Sequence, residues 1–212
     1  NAVTAPLERR KWRGALLALA GASLAARGAG AQQRCDEPHY RWSAKIDTSL
    51  AGGPATPASI ADILAGWAPP SLGRNDRCAP RAGRELGVFV VRGWIRRIET
   101  AKDDGDWHIE LTAGRASPVD SCIVAEIPMS GLGAKYRGAR AQLTGLLAGR
   151  RLDKQGDLSA PLEVRIVGAA FFDGQHRRTT RKQDRTDGGH GRCNASLSAL
   201  WEIHPVYAVL RP

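Results

Sequence analysis

Gly87-Val88-Phe89-Val90-Val91-Arg92-Gly93-Trp94-Ile95-Arg96-Arg97-Ile98, then Asp103-Asp104-Gly105-Asp106, then Trp107-His108-Ile109-Glu110-Leu111, reads as a long strand, a hairpin turn and a second strand. Gly93 marks a bulge or sharp coil in the first strand. In the second, Trp107, Ile109 and Leu111 take one face, and His108 and Glu110 the other. Further strands are read at residues 122–127, 141–149 and 162–172, with a closing strand at 200–210. The expected fold is mainly β: a small OB-like closed barrel of five to six strands at residues 85–212. An immunoglobulin-like sandwich fits less well, because the strands are few and unevenly spaced and residues 173–198 form a large basic insertion. No internal repeat is evident.

Residues 32–84 read as an irregular arm, punctuated by Gly52-Gly53-Pro54, Pro57, Pro69-Pro70 and Pro80. It holds one short helix with Thr56 as N-cap, Pro57 at the first helical position, and Ile60, Ile63 and Leu64 at helical spacing. Residues 1–31 have the order of a secretory signal. Arg9, Arg10, Lys11 and Arg13 precede an apolar run of about 12 residues, and Ala29-Gly30-Ala31 supplies a small-x-small exit. The run is shorter than the ~20 residues of a membrane-spanning helix. The expected location is therefore periplasmic or extracellular.

Removing that segment takes away five basic residues and one acid and lowers the net charge from +10 to +6. Of the 31 basic residues 25 are Arg, a bias that a GC-rich genome explains as well as selection for anion binding does. Four cysteines remain, and an oxidising compartment favours two disulfides. Of three connectivities, Cys35–Cys78 would tie down the arm and Cys122–Cys193 would clip a strand to the late loop. No C-x-x-C pair supports a cysteine zinc site.

Two strand faces carry chemistry. His108 and Glu110 share one, Glu202 and His204 another, and Glu126 ends the strand between them in sequence. If Glu126 comes near both, Asp106, His108, Glu126, Glu202 and His204 form an imidazole–carboxylate set suited to a divalent metal and a hydrolytic water. The alternative is a set of buried hydrogen-bonded pairs that lock the fold. His176 and His190 lie in the basic loop, which composition reads as solvated; with Asp173 the two could complete a site, and His39 beside Trp42 reads as packing in the arm. Arg96, Arg97, Arg177, Arg178 and Arg181 are the candidates for anion binding. Few aromatics are left over as stacking platforms for a nucleic acid.

Several phrases stand together: Thr56-Pro57 before a helix, Asp104-Gly105-Asp106-Trp107-His108 with Leu111, Glu126-Ile127-Pro128, Phe171-Phe172-Asp173 with His176, and Glu202-Ile203-His204-Pro205-Val206. In this order, over residues 55–209, they resemble a group of secreted bacterial proteins with no assigned activity, which implies a single exported domain. The D-G-D turn and the carboxylate before Pro128 are also distantly similar to staphylococcal-type nucleases, which are OB barrels. Those nucleases have an acid where Met129 stands and an Arg where Ser121 stands, so the likeness implies the fold and not the activity.

The sequence therefore points to an exported, monomeric, OB-like binding or envelope-associated module without a required cofactor, whose partner is an anionic polymer or nucleic acid. The alternative is a metal-dependent, phosphodiesterase-like hydrolase using His108, Glu126, Glu202 and His204.

Overall fold

The computed structural model describes residues 35–178 and 189–212; the expected signal segment, together with Arg181, lies outside the described residues. The protein is mainly β, with a six-stranded sheet and few helices: α1 (Trp42–Lys45), β1 (Ala55–Ser59), α2 (Ile60–Gly66), β2 (Val88–Thr100), β3 (Trp107–Thr112), β4 (Cys122–Ile127), α3 (Ala134–Leu146), β5 (Asp157–Phe172) and β6 (Trp201–Leu210). The strands follow the order β1-β2-β3-β4-β6-β5, and a further β2–β5 pairing joins β2, β3, β4, β6 and β5 in a hydrogen-bonded ring. No described helix is long and apolar enough to cross a membrane.

The long strand β2 makes this ring possible. Its first half pairs with β5 from Val88↔Ala169 to Ile95↔Leu162, and its second half pairs with β3 from Trp94↔Thr112 to Thr100↔Trp107. The register slips between Ile95 and Arg97, so the irregularity falls two to four residues past Gly93. Gly93 serves another purpose. A Cβ there would sit 2.7 Å from Cδ1 of Ile60 and 3.2 Å from the carbonyl oxygen of Thr112, so its hydrogen lets α2 lie directly on the strand. Inside the ring, Val91, Ile95, Ile109, Leu111, Ile123, Ile127, Val164, Ile166 and Ile203 are all buried in one core.

Residues 141–149, expected as a strand, belong instead to α3 and the turn after it. Tyr136, Ala139 and Leu143 are buried at the i, i+3, i+7 spacing of a helical face. That pattern begins upstream of residue 141, and Ala, Arg, Gln and Leu are good helix formers. Thr56 and Pro57 are likewise not a helix start. They lie in β1, which runs parallel to β2 with Pro57 opposite Val90, and Pro is tolerated there because β1 is an edge strand. Ser59 is the cap of α2, its Oγ accepting from the Asp62 N–H at 3.0 Å.

Both disulfides join the expected partners, Cys35–Cys78 and Cys122–Cys193. The irregular arm is anchored to the rest of the domain. Arg41, in a left-handed backbone conformation, buries its guanidinium in a two-pronged pair with Glu85 (both N···O 2.7 Å) and donates to the carbonyls of Ala79, Pro80 and Phe172. His39 stacks at a tilt on Trp42, with ring centroids 4.8 Å apart.

Candidate functional site

The β3–β4 register places His108 opposite Glu126, and the short parallel β4–β6 contact pairs Val124 with Glu202 and Ala125 with Ile203. Those two pairings gather the four residues singled out in the sequence. Glu126 is the hub: its Oε1 lies 3.0 Å from His108 Nδ1 and its Oε2 lies 3.0 Å from His204 Nδ1. His204 Nδ1 is also 3.3 Å from Glu202 Oε2, and His204 Nε2 is 3.2 Å from Asp106 Oδ2. That last approach lacks hydrogen-bond angles, so His204 Nε2 and Asp106 Oδ2 are both left without a hydrogen-bond partner.

Two histidines of the basic insertion, which the sequence groups with Asp173, join this set. His190 Nδ1 meets Glu202 Oε1 at 2.5 Å, and its Nε2 is 4.0 Å from Glu126 Oε1. His176 Nδ1 meets Asp173 Oδ2 at 3.1 Å. The His190 ring stacks on His176 (centroids 4.0 Å) and meets His108 edge-on (4.5 Å). Four of the chain's five histidines thus lie in one network.

Burial separates these histidines into two groups. His204 is fully enclosed and buttresses Glu126 and Glu202 from behind. His108, His176, His190 and Glu126 line an open cleft of about 340 Å³, along with Lys45, Asp104 and other groups. In His108, His176 and His190 alike a carboxylate faces Nδ1, and a proton held on that nitrogen would leave the Nε2 lone pair to a ligand. His108 Nε2 is buried without a hydrogen-bond partner. Gly191, at φ +60°, closes over it: a Cβ at that position would lie 3.0 Å from His108 Nε2 and 2.7 Å from Glu110 Oε1. Two overlapping sets of side chains have ligand atoms close enough to hold one metal ion at the cleft, His108–Glu126–His190 and Asp173–His176–His190. A third, Asp106–Glu126–His204, is completely buried.

The turn bearing His190 is fastened on two sides. Cys193 is bonded to Cys122 of β4 and exchanges backbone hydrogen bonds with His190. Arg192 reaches across to Glu110 (Nε···Oε2 2.7 Å) and Asp157 (2.6 Å). The ends of the insertion are therefore ordered parts of the site, where the sequence suggested a solvated loop.

The expected anion-binding arginines are placed differently. Arg97 pairs with Glu99 and Glu110, Arg96 donates to the Arg115 carbonyl, and Arg177 donates to the Leu72 carbonyl with its guanidinium over Phe172. None of the three lines the cleft.

Electrostatics follow from these contacts. Burial works against the charged form of His108, but the hydrogen bond and charge of Glu126 outweigh it and raise its pKa above the ordinary 6.5. Burial is likewise overcome at His176 by Asp173, and at His204 by Glu126 with Asp106 and Glu202, so both are raised, His204 strongly. Against their own burial, Glu126 is held well below the usual 4.5 by His204 and His108, and Glu202 is lowered chiefly by His190. The raised imidazoles stabilise the fold fully below pH 6.5 and lose that contribution as pH climbs through their folded values. The lowered carboxylates contribute above pH 4.5 and lose it on acidification. Chelator-treated protein should therefore melt highest between about pH 4.5 and 6.5, with His204→Gln flattening the alkaline side. A melting temperature that climbs steadily to pH 8 would contradict this assignment.

Comparison of the chain with protein-family models, with curated proteins and with solved structures gives no match in any of the three.

Proposed function

We propose that the protein is an exported, OB-like domain that binds a divalent transition metal in this cleft and uses it for hydrolysis. The observation that carries the reading is the convergence of His108, His190 and Glu126 on an open cleft, with Glu202 holding His190 from behind. Imidazole and carboxylate together suit zinc or manganese. Three protein ligands leave a coordination position for water, and a bound ion brings the pKa of that water to about 7. For His190, Glu202 on the other ring nitrogen is the usual support for such a ligand.

The OB-like assignment rests on the ring itself. Numbered around the ring in chain order, β2, β3, β4, β5 and β6 close as first-second-third-fifth-fourth, with a helix between the third and fourth and a parallel contact between the third and fifth. Export rests on two disulfides with no free cysteine among the described residues, and on the signal-like order of residues 1–31.

Purified protein dialysed after zinc or manganese loading should retain about one ion per chain. His108→Ala and His190→Ala should abolish retention. Glu202→Gln, which weakens the hold on His190 and the contact with His204, should lower affinity about 10- to 100-fold. If wild-type protein comes through dialysis metal-free, with the histidine variants merely less stable, the cluster is a structural lock and the domain is better read as a binding module.

A further inference from the structure

The cleft also holds a cationic group beside its candidate metal ligands. Lys45 ends α1, in the arm, and its side chain is only 7% exposed. The side chain lines the cleft beside His108, His176, His190 and Glu126. Its nearest carboxylate oxygen, Asp173 Oδ2, is 3.8 Å away, too far for a hydrogen bond, and that same oxygen is already engaged by His176 at 3.1 Å. The ammonium makes no hydrogen bond to any described residue; its other close neighbour is the Phe171 ring, 5.6 Å from Nζ to centroid. Its Nζ opens on the cleft, and none of its three donors has a hydrogen-bond acceptor among the described residues, so they remain available to a ligand there.

From this geometry we infer that Lys45 is an anion-binding group of the cleft, and that the substrate class is a phosphodiester-type tetrahedral oxyanion. The inference rests on the metal site proposed above and assigns the substrate of that same site. A neutral ester presents one carbonyl oxygen, which the metal alone can polarise. A phosphodiester presents two non-bridging oxygens carrying one negative charge, so a second cation facing the same space has a defined partner. The arm is built to deliver it. Arg41, four residues earlier, is fixed by its pair with Glu85 and by three carbonyls. The cleft's other walls carry Glu99, Asp103 and Asp104 against Lys102, so the rim itself does not attract an anion. Inside, Lys45 faces Asp173, Glu126, Glu202 and Asp104, and the anion is drawn to the ammonium against those carboxylates, with the bound ion offsetting them.

The test uses the full, oxidised, zinc-loaded chain. Inorganic phosphate binding is measured by calorimetry, and turnover is followed on bis(p-nitrophenyl) phosphate and on the neutral p-nitrophenyl acetate. Lys45→Met should keep its zinc, weaken phosphate about 10- to 100-fold and raise KM for the diester far more than KM for the neutral ester. Lys45→Arg should recover part of the phosphate affinity. Equal phosphate affinity in wild type and in a zinc-retaining Lys45→Met would overturn the inference and leave Lys45 a neutraliser of buried carboxylates. If Lys45→Met does not fold, the Nζ resonance of Lys45 in the wild-type chain decides: it should move on phosphate addition, and a static signal counts against binding. Failure of the metal reading appears separately, as wild-type protein without zinc. Phosphate binding in that protein that still depends on Lys45 would support the anion site on its own.

Discussion

Arg41→Met should destabilise the protein by about 3–5 kcal/mol, the range seen when one partner of a buried ion pair is removed. The guanidinium makes five hydrogen bonds, two of them to Glu85, and neither side chain is appreciably exposed. Glu85 Oε1 also accepts from the Phe172 N–H at 2.9 Å, and Oε2 accepts from the Ala82 N–H at 3.2 Å. Removing Arg41 leaves that carboxylate buried beside the end of β5 with only backbone donors to balance it. The double variant Arg41→Met/Glu85→Leu should regain much of the loss, because the pair's mutual desolvation cost disappears with both charges. Urea unfolding of the two variants provides the comparison. A single variant within about 1 kcal/mol of wild type would mean the arm is held by its disulfide and not by this pair.

Arg41 also shows what kind of information the sequence withholds. Strands with a clear period-2 pattern, such as Trp107–Thr112, could be read directly, and so could a disulfide framework with few sensible pairings. Glu126 was legible as a candidate because it ends a strand at a carboxylate-Pro phrase. Its role as hub depends on the parallel contact of β4 with β6, a pairing of residues nearly 80 positions apart that no local pattern encodes. His190 is harder still. It sits among Gly, Arg and Asn, where local composition signals a solvated loop, and only the Cys122–Cys193 bond and the Arg192 contacts bring it to Glu126. The same long-range logic overrode the helix start expected at Thr56: an open edge of β2 captured that segment as a strand. Helix α3 was missed for a local reason, since half of its apolar face precedes the window in which a strand was read.

Breaking the Cys122–Cys193 bond should cost more than stability. The bond spans 71 residues, so its loss frees chain entropy worth about 4 kcal/mol in the unfolded state. The Cys35–Cys78 bond spans 43 residues, and because this entropy grows only logarithmically its removal should cost nearly as much, about 4 kcal/mol. The two cleavages should differ at the cleft. Cys193 exchanges both backbone hydrogen bonds with His190, and Cys122 lies on the strand that carries Glu126, so this bond sets the distance between two of the three proposed metal ligands. Cys122→Ala/Cys193→Ala should therefore lower metal affinity about 10- to 100-fold, as loss of outer-sphere support does at other metal sites, at temperatures where the variant is still folded. Cys35→Ala/Cys78→Ala should melt at a similarly reduced temperature with metal affinity intact, because that bond anchors the arm and touches no ligand. Parallel melting curves and metal titrations of the two double variants separate the effects. If both variants lose metal affinity in proportion to their stability, the clasp does not position His190, and Arg192 with Glu110 and Asp157 would then carry that role alone.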